Sequence, residues 1–214
     1  MPLYNLESIN ENISLGVWKI TESVSELGLS VNLSEADKHL FDQISHPVKQ
    51  LEFLAGRALI GIIAQRLGIS YRGVFRNKYG KPELIDSNFQ ISLSHTADYV
   101  TVLIGKNRNV GLDIEKPQEK MRRVAPRLFN ELELNICADK LERISKMWSS
   151  KEVLFKLYMK GGIDFKENLF IYDVNEDFSE CKGMVKKDGV EFVYSISFKA
   201  LDDYFICYNI DDPN

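Results

Sequence analysis

Cysteine is scarce in this chain. Its 214 residues hold three, Cys137, Cys181 and Cys207, an odd number, widely spaced and without a CxxC pair. That argues against a disulfide framework or a zinc site and fits a reducing compartment. Long hydrophobic runs are also missing; the longest, around Ala58 to Ala64, is far too short to span a bilayer. The opening MPLYNLESINENI has neither a basic n-region nor an apolar h-region. No signal peptide is read there, and a cytoplasmic location is expected. Positive charge is not in excess. Lys plus Arg number 27 against 31 Asp plus Glu, for a net charge of -4, which argues against a nucleic-acid binder with its basic footprint. A small polyanionic ligand stays compatible, because only the local charge of its cleft matters. There is no low-complexity segment, no clear linker and no visible repeat. The length suits one large domain or two small ones sharing a core.

Two stretches stand out from this background. Val110-Gly-Leu-Asp-Ile-Glu115 reads as a short strand, with Val110, Leu112 and Ile114 on one face and Asp113 and Glu115 on the other. Trp148-Ser-Ser-Lys-Glu-Val-Leu-Phe-Lys156 reads as a helix, on which Glu152 and Lys156 are neighbours at i,i+4. Each half has an ordinary reading by itself: a solvated strand face, and a helix surface pair. Together they bring three carboxylates and a lysine into play. Three oxygen donors suit a hard cation such as Mg²⁺ on substrate phosphates, and the lysine suits a phosphate or a leaving group.

The rest of the chain is read around these. Residues 13–20 alternate as a strand. Ser34 caps a short helix to about Ser45, with Asp37 as its capping-box acid and Leu40, Phe41 and Ile44 inward. Pro47 opens a longer helix that ends at Gly68, with Val48, Leu51, Leu54, Ala55, Ala58 and Ile62 as its apolar stripe. Arg57 lies at the stripe edge, where it either snorkels to a surface acid or reaches an anion; Gly56 beside it permits close approach of another backbone. Residues 71–83, with Arg72, Arg76, Lys78 and Lys81, form the most basic short loop, containing the turn Gly80-Lys-Pro82. Residues 89–115 read as a three-stranded meander with His95 at a strand end. Residues 117–147 read as two helices, or a helix and a mobile loop. Met121, Arg122, Arg123, Val124, Arg127, Leu128 and Phe129 make a basic and apolar surface there, suited to an acidic partner. Strands follow at 168–174, 190–198 and 203–210, with turns at Glu176-Asp177 and Lys187-Asp-Gly189.

Gly80-Lys-Pro82, Ser92-Leu-Ser-His-Thr96, Val110–Glu115 and Trp148–Lys156, in this order and spacing, resemble the 4′-phosphopantetheinyl transferases, of the larger, monomeric type that activates surfactin synthetase. The resemblance covers roughly residues 30 to 175. It implies an α+β fold of two similar halves about a pseudo-twofold axis, here 1–105 and 106–214 packed as one unit, with coenzyme A in the cleft between. The implied activity moves the phosphopantetheine arm of coenzyme A to a serine of an apo acyl or peptidyl carrier protein, releasing 3′,5′-ADP. The implied roles follow the motifs. Asp113, Glu115 and Glu152 hold Mg²⁺, or Mn²⁺ in its place. Lys156 contacts the pyrophosphate and assists the leaving group, and His95 also binds phosphate. Glu152 is the candidate base. Lys81 and Pro82 border the adenine nucleotide, and Arg57 and Ser94 lie near its 3′-phosphate. Lys151 fits the motif without an assigned role. Two departures are visible. Gly161 and Gly162 fall late after Lys156, so the helix end differs from the family pattern. The second basic contact from the N-terminal region is left open among Lys38, Arg72 and Arg76. The competing expectation is a non-catalytic member that binds coenzyme A or a carrier protein. A generic Mg²⁺-dependent nucleotide hydrolase is the third, and the chain lacks the GxxxxGK[ST] loop it would use.

Overall fold

Alternating apolar residues start the fold as a hairpin. In the computed structural model, which describes residues 3–211, β1 (Leu3–Asn10) pairs antiparallel with β2 (Ile13–Lys19). The expected first strand at 13–20 is therefore the second. Register shifts between Leu3 and Asn5, and between Ser8 and Asn10, break the period-two pattern that would have marked β1. Next comes α1 (Val24–Ser30), started by a capping box between Ser23 and Glu26. The signal for it, Ser-x-x-Glu, lies within four residues of sequence.

Ser34 does cap α2 (Glu35–Phe41), its Oγ accepting from the Asp37 amide at 3.1 Å. The helix stops at Phe41, short of the expected Ser45, and its one buried residue is Asp37. Pro47 opens α3 (Pro47–Arg66). The buried stripe is Leu54, Ala55, Leu59, Ile60, Ile63 and Ala64, rotated from the expected one; Val48 is exposed, and Leu51, Ala58 and Ile62 are half-buried. Gly56 faces the side chains of Leu93 and Val100 and no backbone. The basic segment at 71–83 is a hairpin, β3 (Val74–Arg76) and β4 (Pro82–Leu84), where a loop had been expected. Then β5 (Phe89–His95) pairs with β6 (Tyr99–Lys106). The six strands lie in the order β1-β2-β6-β5-β4-β3, all antiparallel, and α3 packs on β2 and β6.

The meander ends at β6. β7 (Leu112–Glu115) joins the other sheet, pairing with β11 (Tyr204–Asn209). The chain divides into two compact units at this connection, Met1–Val110 and Gly111–Asn214. In the second unit α4 (Lys120–Leu128) and α5 (Glu131–Cys137) are separate short helices, and α6 (Leu141–Tyr158) is the long one. α6 ends in Met159, which takes the left-handed conformation (φ 35°), so the late glycines follow the cap and do not form it. β8 (Leu169–Tyr172), β9 (Glu180–Lys187) and β10 (Val190–Leu201) complete the sheet β7-β11-β10-β9-β8. The Asp188-Gly189 turn, both residues at positive φ, joins β9 to β10 as turn chemistry predicts, although β9 itself was not foreseen. The molecule is thus a mixed α+β protein with two antiparallel sheets. Among the described residues no helix is long and apolar enough to cross a membrane.

Candidate functional site

The acidic strand and the lysine-bearing helix meet because a glycine lets them. A Cβ on Gly111, just before β7, would lie 2.6 Å from the carbonyl oxygen of Val153 and 2.8 Å from Leu157 Cγ. Without it, α6 rests directly on β7. Residues 149, 152, 153 and 156 recur at helical spacing and so share one side of α6. Lys156 donates to Asp113 Oδ1 at 3.0 Å and to the Leu112 carbonyl at 2.6 Å. Ser149 Oγ donates to Asp113 Oδ2 at 2.7 Å. Asp113 is only 7% exposed, so these donors offset the cost of burying its charge.

Glu115 and Glu152 are half-buried. Burial, then the neighbouring Asp113 charge, push Glu152 from its ordinary 4.5 up to about 7; Lys156 opposes the shift and Glu115 adds to it. Burial also raises Glu115, the Lys116 amide opposes this, and Asp113 raises it further. The four residues read as a site are therefore electrostatic neighbours within one unit. Among the described residues no three acidic, histidine or cysteine side chains converge as a ready-made cation cage. An oxygen donor set of this kind would suit a hard divalent cation, which would offset both the burial and the neighbouring carboxylate charge that raise Glu115 and Glu152. Both oxygens of Asp113 already accept hydrogen bonds from Ser149 and Lys156.

Lys151, adjacent to Glu152 in sequence, points elsewhere. It is fully buried and donates to Glu133 Oε2 at 2.7 Å and to the carbonyls of Leu128, Phe165 and Leu169 at 2.7–2.9 Å. Glu133 in turn accepts from the amides of Asn130 and Ile171. This ion pair ties α6 to α5 and to the start of β8, a framework role. Trp148 stacks on Phe165 at 5.4 Å between centroids.

The remaining candidates belong to the other unit. Lys81 is buried, its Nζ donating to Asn109 Oδ1, and burial lowers its pKa against the opposing pull of Glu83. Pro82 begins β4, extended as the turn requires. Ser94 is buried on β5, its carbonyl accepting from Thr101 Oγ1 at 3.1 Å. His95 Nδ1 lies 3.3 Å from Glu52 Oε1, and the other Glu52 oxygen takes Lys49 at 2.7 Å. Arg57 Nε donates to Asp37 Oδ1 at 2.5 Å, with Phe53 against its guanidinium. Lys38, Arg72 and Arg76 bond to Glu35, Asp86 and the Gly80 carbonyl. The contacts that sequence reasoning missed are Ser149, Glu52 and Asp37. Glu52 sits beside the apolar stripe of α3, where its i,i+3 pair with Lys49 reads as an ordinary helix-surface contact. Asp37 had been read as a cap acid only.

The expected basic surface is narrower than its residue list. Met121 and Phe129 are in the core, and Arg122 is held by Glu119 and Asp139. Arg123, Val124 and Arg127 are the exposed members. A scan of protein-family models finds no match to this chain, and a search of curated proteins finds none either.

Proposed function

We propose that this protein transfers the 4′-phosphopantetheine arm of coenzyme A to a serine of an apo acyl or peptidyl carrier protein. The observation that carries the reading is the meeting of β7 and α6, where Lys156 and Ser149 bond Asp113 beside Glu115 and Glu152. Burial and the neighbouring Asp113 charge push the Glu152 carboxyl up to about 7, near the pH at which a general base is most effective. In the reaction the serine oxygen attacks the phosphorus bearing the pantetheine, and the bridging P–O bond of the pyrophosphate breaks. Glu152 takes the hydroxyl proton, directly or through a water. The electron pair leaves with 3′,5′-ADP, and Lys156 faces that departing charge. Such transfers ask the protein mainly for alignment and charge neutralisation. Asp113, Glu115 and Glu152 would hold Mg²⁺ or Mn²⁺, which neutralises pyrophosphate charge when bound. Arg57, Lys81, Ser94 and His95, with the backbone at Pro82, are the proposed coenzyme A contacts.

The reading carries with it a monomer of two similar halves about a pseudo-twofold axis, working in the cytoplasm. In support, each unit sets one long helix, α3 or α6, against an antiparallel sheet. The test is the intact mass of an apo acyl carrier protein after incubation with this protein, coenzyme A and Mg²⁺. A gain of one phosphopantetheine arm that is lost with Glu152→Gln is expected. Coenzyme A binding without any gain across fatty-acid and peptidyl carriers would favour the non-catalytic binding member. Absence of coenzyme A binding would sink both.

A further inference from the structure

A carboxylate with no exposure needs several donors to stay charged, and Asp37 has them from four directions. Oδ1 accepts from Arg57 Nε at 2.5 Å and from the Val74 amide at 3.4 Å. Oδ2 accepts from the Tyr71 hydroxyl at 2.6 Å and from Ser34 Oγ at 2.8 Å. Burial and the adjoining carboxylate push the Tyr71 phenol well above its ordinary range, so it stays a donor. Gly73, at φ 115°, passes so close to Ser34 that a Cβ would meet its Oγ at 2.4 Å. The hub is thus assembled from α2, α3 and the segment leading into β3.

Arg57 is clamped rather than merely neutralised. Asp37 takes its Nε, and the Phe53 ring, one turn earlier on α3, covers its face with the guanidinium carbon 4.2 Å from the centroid. Among the described residues no acceptor takes a hydrogen bond from Nη1 or Nη2, and the side chain keeps 10% exposure. An Arg–Asp pair serving stability alone gains most from two parallel hydrogen bonds. This pair makes one, and leaves the fork of terminal N–H groups available.

We propose that Asp37 is a positioning residue that aims the Nη edge of Arg57 at the 3′-phosphate of coenzyme A. The inference rests on the transferase reading above. A phosphate monoester presents two or three equivalent oxygens, which a guanidinium held flat and still binds bidentately. Asp37 partly cancels the charge of Arg57, so its benefit is geometric and not electrostatic.

The test compares coenzyme A with 3′-dephospho-coenzyme A as donors to one apo acyl carrier protein. Wild type should prefer coenzyme A. Asp37→Asn and Phe53→Leu should each raise KM for coenzyme A about tenfold, leaving kcat and the dephospho donor within about twofold. Phe53→Leu keeps every charge and decides the matter if Asp37→Asn does not fold. Tyr71→Phe should lower Tm without changing the ratio between donors. An equal loss for both donors, or a selective gain for coenzyme A on removing the Asp37 charge, would overturn the proposal. So would equal use of both donors by wild type, which leaves the transferase reading standing. Failure of wild type to bind either donor would remove that reading instead.

Discussion

Lys156 Nζ lies 3.0 Å from Asp113 Oδ1, joining residues 43 apart in the chain. The ammonium both compensates a buried carboxylate and stands beside Glu115 and Glu152. Lys156→Ala should therefore do two things. Transfer should fall by about a hundredfold or more, as when a group facing transition-state charge is removed. Tm should also fall, because Asp113 loses its cation. A time course of carrier mass and a thermal melt separate the two effects. Full activity in a folded variant would remove Lys156 from the mechanism.

Glu152 links the site to stability through pH. Unfolded, it ionises near 4.5; folded, it keeps its proton up to about 7. Between these values the native state binds more protons than the unfolded chain. Stability from this group is therefore fully present below 4.5, declines through the interval, and is lost above about 7. Glu152→Gln removes that titration. Its Tm advantage over wild type should grow from about pH 5 to about pH 8. A pH-independent difference would refute the assignment. The transfer rate of wild type should rise through the same interval as the base deprotonates.

Gly111→Ala tests the contact between strand and helix. The new Cβ would press on the Val153 carbonyl at 2.6 Å, and backbone yields less readily than side-chain tips. A loss of about 1–3 kcal/mol is expected from overpacking. Activity should drop further, because α6 moves relative to β7. Urea melts and initial rates check this; a variant with native stability would mean that α6 does not press on residue 111.

The Lys151–Glu133 pair should behave as a buried bridge. Lys151→Met leaves Glu133 charged and buried, at a cost of about 3–5 kcal/mol. Adding Glu133→Leu should recover part of that loss, since it removes the unpaired charge but leaves the Asn130 and Ile171 amides without their acceptor. Denaturant titration of both singles and the double gives the coupling, and additive losses would contradict a paired role.

An acidic carrier protein would meet the exposed face of α4. Arg123→Glu with Arg127→Glu should raise KM for the carrier about tenfold, more so at low salt, with KM for coenzyme A unchanged. Arg122 is a poorer probe, being tied to Glu119 and Asp139. Unchanged carrier kinetics would move the dock elsewhere.

Local rules were enough for part of this molecule. Ser34 and Pro47 begin helices because a side-chain cap and a fixed φ act within a few residues. Asp188-Gly189 makes its turn for the same reason. Alternation puts Asp113 and Glu115 on one face of β7, and i,i+4 spacing makes Glu152 and Lys156 neighbours on α6; that the two pairs belong together rested on their order and spacing and on the resemblance. The tertiary structure decided what depends on distant partners. β7 could pair with β6 or with β11, and its short pattern carries no preference between them. Asp37 reads as a cap acid and Lys151 as a motif residue without a role, and nothing local marks either of them, or Glu133, as buried. Their burial follows from partners that other elements supply: Arg57 and the Tyr71 hydroxyl for Asp37, the Ile171 amide for Glu133, and Glu133 and Lys151 for each other. Propensity and spacing act over one or two turns. The desolvation of a charge is settled only when the whole chain has closed around it.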